Sequence, residues 1–145
     1  MYKTIVLAYD GSQAGQRALL DCQEIGQWSQ AQLHLVAVMP PPVALIAGEA
    51  WAYSPGADSE DQAHFQAVLD EGVARLRAAG LDVHGEVVTG VAIDEIVRVA
   101  QRVQANLIIV GHKHLEGWAE RWWRGSVSKS LIAISPCSVL VVITP

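Results

Sequence analysis

No apolar run in this chain approaches the ~20 residues a helix needs to cross a bilayer, so no helical membrane span is expected. The opening residues, MYKTIVLAYDG, lack the longer apolar region and cleavage site of a secretory leader and read as a first strand. Cysteine is scarce. Cys22 and Cys137 have no metal-ligand spacing, which points to ordinary buried thiols in a reducing compartment. Basic residues are the minority, and the net charge of −5 argues against nucleic acid as a partner. Also missing are the P-loop Gly-x-x-x-x-Gly-Lys, the dinucleotide fingerprint Gly-x-Gly-x-x-Gly and the nucleophile elbow Gly-x-Ser-x-Gly. No acid–base pair stands out, so no catalytic residue is assigned, and slow ATP hydrolysis is the most that is expected of it as an enzyme. No repeat, low-complexity tract or linker divides the chain. With half of its 145 residues apolar, it reads as one cytoplasmic domain over residues 1–145.

What is present is a regular alternation. Tyr2 to Tyr9 is an apolar, β-branched run ending at Asp10-Gly11-Ser12, and from Ala14 the apolar residues Ala14, Ala18, Cys22 and Ile25 follow helical spacing. Leu33 to Met39 reads as a second strand, stopped by Pro40-Pro41-Pro42. A long segment without periodicity runs to Asp58, the kind of loop that often covers a site. Ser59-x-x-Gln62 resembles a capping box before a helix carrying Phe65, Val68, Leu69, Gly72, Leu76 and Ala79 on one face, with Gly80 as its stop. Leu81 to Thr89 alternates apolar and polar residues, which predicts an edge strand. A helix follows Gly90, with Ile93, Ile96, Val97, Ala100 and Val103 inside and Asp94 and Glu95 in its first turn, where negative charge suits the dipole. Leu107 to Val110 is a buried strand that stops at Gly111. The chain ends with a short helix and a last strand, Ser138 to Ile143. Strand and helix in strict alternation predict a three-layer α/β sandwich with a five-stranded parallel sheet and helices on both faces. With strand order 3-2-1-4-5, taken here as an assumption, the winding reverses between strands 1 and 4. Ligands bind at such switch points, and this one brings Asp10-Gly11-Ser12 beside Gly111.

The stretch NLIIVGHKHLEGWAERWWRGSVSK, from Asn106 to Lys129, is the focus of the functional reading. A buried strand gives way to a polar and aromatic loop, and Gly125-Ser126 then leads into helical spacing through Val127, Leu131 and Ile134. A helix start exposes unpaired backbone N–H groups and the positive end of the peptide dipoles, and glycine admits a close ligand, so the junction reads as a phosphate-binding loop. Between His112 and Lys129, four cationic residues face two glutamates, which suits a polyphosphate as well as ordinary surface ion pairs. His112 and His114 have no carboxylate or cysteine at ligand spacing, and no metal site is read. Trp118, Trp122 and Trp123 lie in the same loop, either packed on their own domain or forming a docking surface.

The segments TIVLAYDGS, LHLVAV, ANLIIVGHKH and, most specifically, GSVSKSLIAISPCSVLVV resemble the universal stress protein family over nearly the whole length. That resemblance implies the five-stranded sandwich, a homodimer through the C-terminal strand, and, in some members, ATP. The ATP-binding members carry Gly-x-x-Gly, nine residues, then Gly-Ser or Gly-Thr. Here Gly111 matches the first glycine and Gly125-Ser126 the final pair, but His114 replaces the second glycine and ten residues separate it from Gly125. Asp10 matches the acidic residue after the first strand, and Val38 stands where backbone groups would meet an adenine.

The expected nucleotide-binding set is therefore Asp10, Val38, Gly111, His114, Gly125, Ser126 and Val127, holding ATP, with or without Mg²⁺. Asp10 and Ser126 each carry a plainer reading, as helix caps. The function expected is that of a dimeric stress-response regulator acting on a protein partner the sequence does not name. The alternative is a nucleotide-free interaction module acting through the tryptophan-rich loop.

Overall fold

The computed structural model describes residues 1–40, 55–113 and 127–144. Five strands and four helices alternate through them: β1 (Thr4–Ala8), α1 (Gln13–Ser29), β2 (Gln32–Met39), α2 (Pro55–Ala78), β3 (Val83–Thr89), α3 (Ala92–Arg102), β4 (Leu107–Lys113), α4 (Val127–Ile134) and β5 (Ser138–Thr144). The strands form one parallel sheet in the order β3-β2-β1-β4-β5. The assumed order is the observed one, and the alternating strand lies at an edge.

The central strand explains the layering. Successive side chains of a strand point to opposite faces, so an unbroken apolar run needs cover on both. Ile5 and Leu7 of β1 enter a core with Ala18, Leu19 and Cys22 of α1 and Leu69, Val73 and Leu76 of α2. Val6, between them, points the other way, into a core with Ile96, Val99 and Ala100 of α3 and Leu131 of α4. Each of the valine, leucine and isoleucine side chains among these contributes about 1.5–3 kcal/mol by leaving water. Right-handed crossovers assign the faces: the chain winds outward from β1 to β3, then returns and winds the other way through β4 to β5. The reversal falls between β1 and β4.

Several boundaries differ from those read in the sequence. α2 begins at Pro55, so Ser59 sits inside the helix and Ser59-x-x-Gln62 is not its start. Proline is well suited to a first turn, where its missing N–H would have no partner. β4 does not stop at Gly111. β5 stays paired with it through Gly111↔Val142, His112↔Ile143 and Lys113↔Thr144, and the ladder carries the glycine into the strand. In α4, Leu131 is buried, but Ile134 is exposed together with Ile132.

Candidate functional site

β1 ends before its neighbours do. Its register with β2 stops at Ala8 opposite Val36, followed by one further bond, 2.9 Å, from the Tyr9 N–H to the Val36 carbonyl; β2 continues to Met39. On the other side Ala8 lies opposite Val110, while β4 continues to Lys113. The end of β1 is therefore the floor of a notch walled by β2 and β4, at the switch point of the sheet. In a parallel ladder successive residues turn their N–H and C=O groups to alternate neighbours. Val36 faces β1, and Met39 faces β3, where its carbonyl accepts the Gly90 N–H at 3.0 Å. Val38 consequently turns both its N–H and its C=O toward the notch. A donor and an acceptor side by side can pair with a ligand edge that offers one of each.

The floor is a tight turn built around Asp10. Gly11 has φ +76°, a left-handed conformation that glycine adopts without strain. Asp10 Oδ1 accepts the Ser12 N–H at 2.9 Å and the Ser12 hydroxyl at 2.6 Å. The Ser12 hydroxyl oxygen in turn accepts the Gly15 N–H at 3.0 Å and is the N-cap of α1. The helix cap is thus Ser12, a residue the sequence reading did not single out, and Asp10 holds that cap in place. The signal was the Asp-x-Ser spacing itself, since such side chains bond backbone groups two and three residues on. Gly15 completes the turn: a Cβ there would lie 2.6 Å from Asp10 Oδ1.

Gly111 forms the β4 wall, and its lack of a side chain has a local cause. A Cβ there would stand 2.3 Å from the Ala14 carbonyl oxygen and 2.9 Å from the Gly15 nitrogen. The strand lies directly against the first turn of α1, so glycine is required whether or not a ligand approaches. Behind the floor, the Tyr9 ring packs on Gly72, where a Cβ would meet Tyr9 Cε1 at 2.8 Å. Burial raises the Tyr9 phenol pKa; Glu71 and Asp10 add to the rise and Arg75 opposes it.

One charged residue went unread as a buried one. Glu95, in the first turn of α3, is buried, its carboxylate 3.0 Å from Arg98 and pressed against Gly90, where a Cβ would lie 2.7 Å from Glu95 Oε1. From sequence it is only a dipole partner, because an acidic residue in a first turn normally faces water.

Asp10, Val38 and Gly111 therefore border one notch. Val127 opens α4. His114, Gly125, Ser126 and the three tryptophans of the loop lie outside the described residues. Among the described residues no group of three His, Cys, Asp or Glu could hold a metal ion, and no helix is long and apolar enough to cross a membrane.

Comparison with known proteins bears on the whole chain. A universal stress protein of Methanocaldococcus jannaschii is 31% identical over all of this chain and 84% of its own length. One from Thermus aquaticus is 29% identical, covering 98% of this chain and 99% of its own. Among solved structures, a universal stress protein in complex with cAMP is 29% identical, with a TM-score of 0.73 over 99% of this chain and 98% of that one. Residues 1–142 match the universal stress protein family as a whole, and the chain belongs to that family.

Proposed function

We propose that this chain binds an adenine nucleotide in the notch at the end of β1 and works as a dimeric, cytoplasmic stress-response regulator. The observation that carries the reading is the recessed end of β1, which leaves the Val38 backbone turned to an open wall beside the Asp10 turn. The similar structure with cAMP supports an adenine nucleotide as the class of ligand. In this reading Val38 meets the base through its backbone, and Asp10 lies beside the base or ribose. The phosphates lie toward Gly111 and on the N–H groups of Gly125, Ser126 and Val127, with His114 taking the place of a second glycine. ATP, with or without Mg²⁺, is the expected ligand, and occupancy alters the dimer or its protein partner.

The dimer forms through β5. That strand is a sheet edge with Ile143 exposed, and an open apolar edge is an aggregation hazard unless another strand covers it. Calorimetric titration with ATP and Mg²⁺, repeated with AMP and cAMP, tests the nucleotide reading, supported by mass spectrometry for nucleotide carried through purification. Saturable binding that Gly125→Val removes is the expected result. No heat and no thermal shift at millimolar nucleotide between pH 6 and 8 would overturn it and leave the interaction module in its place.

A further inference from the structure

Toward the start of β2, on the face covered by α3, the edge of the sheet carries a polar group with no role in the nucleotide reading. His34 on β2 and His84 on β3 are partners in register, and their rings stack with centroids 5.4 Å apart and planes at 23°. Around His84, Asp82 Oδ1 lies 3.5 Å from Nε2, and the Gln32 amide bridges Nε2 at 3.1 Å and Asp82 Oδ2 at 3.2 Å. Glu86, the next residue on that face of β3, is bound to Arg102 of α3. Both carboxylates thus have partners already. On His34 the Nε2 is buried without a hydrogen-bond partner, the neighbour on β1 is Val6, and the charge reaching the ring from α3 is the Arg102 cation.

We propose that the stacked His34–His84 pair is an acid-sensitive latch on the edge strand β3. With both rings neutral, β3 pairs with β2 along its length. With both protonated, two like charges face each other across the ladder, one of them on a ring whose buried nitrogen has no acceptor, and β3 loosens from β2. The cost of an unpaired buried donor and of like charges opposite each other across a sheet acts in the same direction.

The sign follows from linkage. Burial lowers the His34 pKa below 6.5, with His84 and Arg102 adding to the shift and Glu86 and Asp82 opposing it. Opening β3 restores the ordinary value, so the open form binds the proton better. Protection is full above the ordinary pKa and declines as pH falls toward the folded one.

Amide hydrogen exchange of the whole chain, corrected for intrinsic rates, tests this between pH 7.5 and 5, with the His34 ring titration followed by NMR. Protection across Val83–Thr89 should fall relative to β1, by up to about tenfold for each pK unit by which His34 is depressed. His34→Leu should remove the pH dependence and leave β3 protected. Arg102→Gln provides a second test should the leucine variant not fold: it removes the cation and frees Glu86, so the His34 ring should titrate at higher pH. A His34 ring titrating at or above its ordinary value, β3 protection that tracks β1, or an unchanged titration in Arg102→Gln would each overturn the latch.

Discussion

Gly111 of β4 rests on the Ala14 carbonyl at the first turn of α1, so closely that a Cβ would lie 2.3 Å from the oxygen. The neighbour is backbone and cannot swing aside. Gly111→Ala should cost about 1–3 kcal/mol as overpacking, and Gly111→Val more. Chemical denaturation measures it. A variant at Gly111 that loses nucleotide therefore says little about phosphate contact unless its stability is known, whereas stability equal to wild type would remove the packing account.

Ser12 and Asp10 separate a cap from a ligand group. Ser12→Ala removes the oxygen that accepts the Gly15 N–H and should destabilise the chain by about 1 kcal/mol. Asp10→Asn keeps an acceptor for the Ser12 N–H and should cost less than that in stability. If Asp10 touches the nucleotide, the same change should weaken ATP binding out of proportion to its effect on folding. Equal losses in both measurements would make Asp10 a part of the cap alone.

Cys22 is sealed between α1 and the sheet, and burial pushes its thiol pKa up to about 12. In the folded chain it should resist a thiol reagent at pH 8 and react only as fast as the protein opens. Folding stability should also fall as pH rises above the ordinary thiol value of 9 toward 12, because the unfolded chain gives up that proton first. Labelling kinetics with and without denaturant check the first point. Rapid labelling of Cys22 under native conditions would show that this core opens readily.

Ile143 is 65% exposed on the last strand. Ile143→Glu should leave the fold intact, since the side chain has little burial to lose, and should shift a β5-paired dimer toward monomer in sedimentation. A dimer unaffected by the change would place the interface elsewhere.

Arg98 is the partner of the buried Glu95 carboxylate, although its own side chain is 70% exposed. Arg98→Ala should cost about 1 kcal/mol, toward the low end for an ion pair with a buried member because water screens the exposed side. Thermal unfolding resolves a change of that size, and no change would mean that solvent replaces the guanidinium fully.

Much of the architecture was open to reading along the chain. The β-branched runs at β1, β2 and β4 and the helical spacing of Ala14, Ala18 and Cys22 determine which segments are strands and helices. Burial on both faces of β1 then calls for helices on each side. These are properties of neighbouring residues, and side-chain periodicity records them directly. The notch is of another kind. It exists because β1 stops at Ala8 while β2 and β4 continue, and β4 passes through Gly111 only because β5 stays paired with it. Strand length is decided across the sheet, by partners distant in sequence. The same holds for Glu95, buried by the approach of Gly90, and for His34 and His84, fifty residues apart in sequence and stacked only through the β2–β3 register. The sequence by itself determined the elements and their faces. Tertiary packing decided where each strand ends, which glycines must stay bare, and which charges meet.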